Sequence, residues 1–359
     1  MDGELIKNIM VFSKMLLQSF MPMISYFATN KVLSTYTLHK DFKPKDISKV
    51  SIPLELKQKY TDIEISQIGS KKVREAVLEF ADILEKEFAK DSLINFYNNV
   101  NEVKIKRNGG ILLLSADGTY SCKKNKINYC TISSIYHELF HMASSVFNNE
   151  NKLGYTGFSQ TYYTSGSKLE GINIGDGINE GYTQLLALRY FGDKHKISKT
   201  YKFEVGIVEK LEKIVGQDEM KRLYLNANLM GLIENLKQYA NEEDVLNFIN
   251  GVDLVSNHSS DLFLLSNDKM KTSIINVYTF LLQAYITKLK KQVENGIITT
   301  NEFVEQSTQY IKSLGTSVKV GGHNYEFLTV DSLLDNLEKG INTQEAFTNN
   351  EEIISSHKR

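Results

Sequence analysis

Apolar positions recur at helical spacing through most of this chain. Val73, Val77, Phe80, Ile83, Leu84 and Phe88 share one face of a helix predicted from about Lys71 to Lys90. A shorter helical piece is predicted near Leu93–Val100. The period then changes. Val103-Lys104-Ile105-Lys106 alternates, Asn108-Gly109-Gly110 turns, and Ile111–Leu114 reads as a buried strand closed by Asp117-Gly118. Thr119–Cys122 and Lys126–Cys130 are expected to pair as a hairpin around Asn125-Lys126. Thr131 or Ser133 then caps a new helix, expected to run to about Phe147. Ile135, Leu139, Met142, Ala143 and Val146 form its stripe, with Tyr136, Phe140 and Phe147 beside them. Such a helix is apolar nearly all round and therefore buried.

Residues 148–177 read as a long loop, rich in glycine (Gly154, Gly157, Gly166, Gly171, Gly175, Gly177) and aromatic residues (Tyr155, Phe158, Tyr162, Tyr163). It is either a substrate wall or a surface excursion. A helix opens at Gly177 and carries Leu185, Leu186, Leu188 and Phe191 on its apolar face. Beyond about residue 195 the pattern is helical almost throughout. Val205–Val215 stops at Gly216, and Lys221–Tyr239, Glu242–Asn250, Lys269–Gly296 and Thr300–Leu314 follow. Ser317–Phe327 holds a small hairpin turned at Gly321-Gly322. The fold class is α+β in three parts. Residues 1–70 are helical and irregular, 71–195 form a sheet-bearing domain around the apolar helix, and 196–359 form a helical lobe.

Composition narrows the function classes. The 359 residues suffice for a large core, and 42 Lys and Arg against 43 Asp and Glu leave no electrostatic footprint for nucleic acid or an anionic membrane. Met15–Ala28 is mostly apolar, but Gln18 and Pro22 interrupt it and it is too short to span a bilayer. Asp2 and Glu4 do not make the basic start of a signal peptide. That segment is expected to dock on the body as an amphipathic helix, in preference to a membrane surface, and the expected location is cytoplasmic. Cys122 and Cys130 flank the hairpin turn, so they either bridge in an oxidising compartment or remain two thiols in a reducing one. Oligomeric state leaves no mark on the sequence.

The candidate chemistry lies in the apolar helix, at His137-Glu138-Leu139-Phe140-His141. Positions four apart share a helix face, so His137 and His141 can point at one centre. Two imidazoles supply half of a tetrahedral zinc site, and catalytic zinc keeps three protein ligands and one water. Glu138 follows the first histidine and can reach that water as general base. Polar groups buried in such a helix need partners, and one metal ion satisfies all three. A second informative stretch is Gly177-Ile178-Asn179-Glu180-Gly181-Tyr182-Thr183-Gln184. Glu180 there lies in a first helical turn, where a carboxylate suits the helix dipole.

A small sheet, an H-E-x-x-H helix, an Asn-Glu motif on a second helix and a helical lobe together resemble the gluzincins, zinc metallopeptidases whose third ligand is a glutamate. The resemblance covers roughly residues 100–195 by motif. It implies a zincin-like, mostly antiparallel sheet packed on the motif helix, and one zinc ion held by His137, His141 and Glu180. It also implies Glu138 as catalytic base, and a peptide or protein substrate lying along the Thr119–Cys122 or Lys126–Cys130 strand. The family's second motif, N-E-x-x-[ST]-D, is matched by Asn179, Glu180 and Thr183 and departs at Gln184. Gln184 can still accept a hydrogen bond from a ligand histidine, without the negative charge. The family also supports its oxyanion with a tyrosine or histidine from beyond this motif, for which Tyr224, Tyr239, His258 and His323 lie late enough. Asp176 and His195 stay open as substitutes for Glu180. The alternative to a peptidase is a relative of weak or no activity that binds a partner.

Overall fold

The computed structural model describes residues 44–45, 70–107, 118–150, 152–163, 172–260, 267–320 and 323–326. The expected strand Ile111–Leu114, the expected helix Met15–Ala28 and most of the connector before residue 70 lie outside them, as does the chain after residue 326.

Helix α1 (Lys71–Glu87) buries Val73, Val77, Phe80 and Leu84, the face its apolar spacing predicts, and α2 (Ile94–Val100) follows. Strands β1 (Lys104–Arg107), β2 (Gly118–Ser121) and β3 (Lys126–Tyr129) form a three-stranded sheet in the order β1-β3-β2. The hairpin β2–β3 is antiparallel, with Tyr120 opposite Ile127, whereas β1 runs parallel to β3. This corrects one expectation. With β3 paired on both sides, Lys126–Cys130 has no free edge for a substrate strand, and of the two expected strands only β2 is an edge of this sheet, β1 being the other edge.

Helix α3 (Ile132–Ala143) starts in a capping box between Thr131 and Ser134, and it ends four residues before the expected Phe147. The Ser144 and Ser145 hydroxyls take the last carbonyls of the helix, at Phe140 and His141. The apolar run then continues as β4 (Ser145–Asn148). A short apolar run fits either period, and here pairing with the next strand decides. Among its described residues the expected loop 148–177 is largely sheet. Strands β4, β5 (Leu153–Thr156), β6 (Ser159–Tyr162) and β7 (Ile172–Ile174) form an antiparallel meander in chain order. Gly157, at φ 53°, opens the two-residue turn between β5 and β6. Of the glycines that suggest a loop here, Gly157 and Gly175 have positive φ, and a Cβ at Gly154 or Gly177 would crowd its neighbours.

Helix α4 (Asp176–His195) carries the Asn-Glu motif. The helical lobe comprises α5 (Lys202–Val215), α6 (Gln217–Leu225), α7 (Leu229–Leu236), α8 (Glu242–Ser260), α9 (Asn267–Glu294) and α10 (Thr300–Leu314). The single helix expected over Lys221–Tyr239 is broken where Ala227 turns left-handed at φ 53°. There the Asn228 side chain caps α7 by accepting from Gly231 N–H at 2.7 Å. Strands β8 (Ser317–Val320) and β9 (His323–Glu326) form the expected hairpin.

One continuous apolar core runs from α1 through α3 and α4 into α5–α10. Phe80 meets Phe140 edge-on at 4.8 Å and stacks on Phe191 at 5.8 Å, which holds α3 and α4 side by side. Each such ring contributes about 1.5–3 kcal/mol by burial. The fold is thus α+β, with small sheets beside a mostly helical body. Among the described residues no helix is long and apolar enough to cross a membrane. Cys122 and Cys130 carry free thiols. The Cys122 thiol lies 3.5 Å from the Val146 carbonyl oxygen, and burial pushes it up to about 11.

Candidate metal centre

Helix α3 sets His137 and His141 one turn apart on the face that meets α4, with ring centroids 4.8 Å apart. Their Nε2 atoms approach to 3.1 Å. Glu180, in the second turn of α4, completes the triangle. Its Oε2 lies 3.1 Å from His137 Nε2 and its Oε1 lies 3.2 Å from His141 Nε2. The ligand atoms of the three residues all lie within 4.8 Å of one another, so the group can hold a metal ion. The donor set fits that use, because two imidazole nitrogens and a carboxylate oxygen are ligand types that zinc takes and here they converge. Burial by itself would raise the Glu180 carboxyl, but His141 and His137 hold it well below the usual carboxylate range.

Neither alternative to Glu180 belongs to the triangle. His195 Nε2 is 3.0 Å from both oxygens of Glu79 and 3.0 Å from Tyr136 Oη. Asp176 is the first residue of α4, and its carboxyl bonds to Asn173 and Ser159.

A surrounding layer orients both imidazoles. His137 Nδ1 meets Gln184 Oε1 at 3.0 Å. His141 Nδ1 stands 3.4 Å from Thr183 Oγ1 and 3.3 Å from Asn179 Nδ2. Thr183 donates its own proton to Asn179 O at 2.7 Å and accepts from Tyr224 O–H at 2.6 Å. A metal at His141 Nε2 leaves the ring proton on Nδ1, and Thr183 is then the group that accepts it. Tyr224 is fully buried and is tied to this layer by its bond to Thr183.

Glu138 is 5% exposed, and burial pushes its carboxyl up to about 8, with His137 opposing and Glu180 reinforcing the rise. Its room comes from Gly118 on β2, where a Cβ would lie 2.7 Å from Glu138 Oε1. Sequence reasoning treats Gly118 only as part of a turn.

Tyr201 is the residue that sequence reasoning misses. It stands at the start of α5 in the left-handed conformation, φ 53°, with its ring stacked on His137 at 5.7 Å and 15°. Its hydroxyl bonds to Glu180, and the Glu180 charge, then burial, raise the phenol far above its ordinary value, so it stays protonated. It keeps 37% of its surface exposed. Among nineteen tyrosines nothing in the local pattern distinguishes it. The other expected candidates are remote in role. Tyr239 lies beneath Lys291, and His323 is exposed on β9. The His258 side chain lies outside the described residues.

Comparison with protein-family models, curated proteins and solved structures finds no match to this chain.

Proposed function

We propose that this protein is a zinc-dependent metallopeptidase of the gluzincin type, with His137, His141 and Glu180 as zinc ligands and Glu138 as general base. The observation that carries the reading is the convergence of three ligand atoms from two helices with a buried carboxyl one residue from the first ligand. A module that only bound partners would have no use for a base in that position.

Zinc, when bound, polarises the scissile carbonyl and lowers the pKa of a coordinated water. The chain's own groups do the rest. Glu138 accepts a proton from the attacking water at a carboxylate oxygen and delivers it to the leaving amine nitrogen. Water adds as hydroxyl to the carbonyl carbon and as proton to the amine, so the C–N bond breaks with no other reactant. Tyr201 keeps its proton and presents it beside Glu180, where a carbonyl oxygen acquires charge. Gln184 and Thr183 hold the imidazoles in the tautomer that leaves Nε2 bare. The edge of β2 offers main-chain groups to an extended peptide.

The test is metal content of the purified wild type beside Glu180→Ala, followed by a peptide-library cleavage screen with Glu138→Gln as the blank. One equivalent of zinc in the wild type, lost or much weakened in Glu180→Ala, and cleavage absent in Glu138→Gln are the expected results. A wild type that takes up no zinc when it is supplied refutes the reading. Zinc with no cleavage favours the partner-binding alternative.

A further inference from the structure

The helix that brings Glu180 to the centre begins with no cap of its own. Gly175 stands at the N-cap of α4 in the left-handed region, φ 81°, and no local side chain accepts from the first turn. A side chain is excluded there, because a Cβ on Gly175 would lie 2.0 Å from the Phe158 carbonyl oxygen. The usual capping residues, Ser, Thr, Asp and Asn, therefore cannot occupy the position. Gly175 and Gly177 are both buried, and buried N–H groups without acceptors are costly.

The acceptor comes from the helical lobe. Asp253 on α8 has no exposed surface. Its Oδ2 accepts from Gly175 N–H at 2.7 Å and its Oδ1 accepts from Gly177 N–H at 2.8 Å. Gly177 makes this approach possible, since a Cβ there would lie 2.9 Å from Val252 Cγ1 and 3.0 Å from Val252 O. Gly175 thus rules out a local cap, and Gly177 clears the space in which a remote carboxyl closes the start of the ligand-bearing helix.

We propose that Asp253 is a positioning residue for the metal centre, fixing the first turn of α4 and with it the place of Glu180 opposite His137 and His141. The inference rests on the reading of those three residues as zinc ligands. Glu180 must meet two imidazoles carried by another helix, and its reach depends on where the start of α4 is held. Loss of a group that orients a ligand directly costs 10–100-fold in metal affinity. Asp253 acts through the backbone, one layer further out, so the expected loss is about tenfold.

Zinc affinity is measured by competition with a chromophoric chelator for the full chain, for Asp253→Asn and for Val255→Ala. Asp253→Asn is near-isosteric and keeps one carbonyl acceptor, while Val255→Ala loosens the same buried helix without touching the carboxyl. Amide exchange at Gly175 and Gly177 is read in the metal-free proteins. Asp253→Asn should weaken zinc about tenfold and speed exchange at both amides, with Val255→Ala binding zinc as the wild type does. Gly177→Ala, which displaces α8 by bulk, should reproduce the affinity loss and serves if the asparagine variant fails to fold. Wild-type zinc affinity in Asp253→Asn, or an equal loss in Val255→Ala, overturns the proposal while leaving the metal centre standing. A wild type that binds no zinc refutes the metal reading itself, and this inference with it.

Discussion

Gln184 meets His137 with its carboxamide oxygen. Oε1 lies 3.0 Å from His137 Nδ1, while Nε2 donates to the Ser198 carbonyl at 2.6 Å. A carbonyl can only accept, so Ser198 fixes which way the amide faces. His137 must then donate from Nδ1, which leaves its Nε2 lone pair directed at Glu180 and His141. A neutral amide thereby sets the tautomer without bringing a charge. Gln184→Leu should lower zinc affinity 10–100-fold with little change in fold, read by chelator competition and circular dichroism. An unchanged affinity would mean that the ring is held by packing alone.

Tyr201 separates ring from hydroxyl. Tyr201→Phe keeps the stack on His137 and removes only the donor beside Glu180. For the proposed peptidase, kcat should fall by about 10²–10³-fold with KM nearly constant, the signature of a contact made in the transition state. A rise in KM at constant kcat would instead assign Tyr201 to substrate binding.

Glu79 ties α1 to α3 and α4. Its carboxylate accepts from Tyr136 O–H at 2.9 Å and Lys194 Nζ at 2.8 Å, and His195 Nε2 is 3.0 Å away. Burial raises the carboxyl, but the bonds from Lys194, His195 and Tyr136 outweigh it and hold the pKa below the ordinary value. A folded-state pKa depressed in this way contributes stability above the unfolded value of about 4.3, and that stability is lost as pH falls through the folded value. Glu79→Gln should therefore cost about 1 kcal/mol at pH 7 by urea denaturation. The difference from wild type should vanish in acid.

Gly181 lies inside the second motif for a packing reason. A Cβ there would come 2.6 Å from the Glu204 backbone, so α5 crosses α4 at this point over bare backbone. Gly181→Ala should cost about 1–3 kcal/mol by overpacking, despite the better helix propensity of alanine. Thermal denaturation of the variant checks it. A stabilised protein would show that the crossing has slack.

Two histidines four apart on an apolar helix, with a glutamate between them, fix their own geometry, because helix periodicity alone aligns His137 with His141. Helix spans with strong apolar stripes, such as Thr300–Leu314, follow from the same local rule. The first motif and most helices were therefore legible in the chain. Local pattern could not decide what depends on partners distant in sequence. Whether Ser145–Asn148 extends a helix or pairs with Leu153–Thr156 is settled by the neighbouring strand. Which of Asp176, Glu180 and His195 faces the histidines is settled by how α4 lies on α3. Tyr201 and Asp253 reach their places because the helical lobe folds back over the start of α4, a consequence of burying one shared core that no single stretch of sequence specifies.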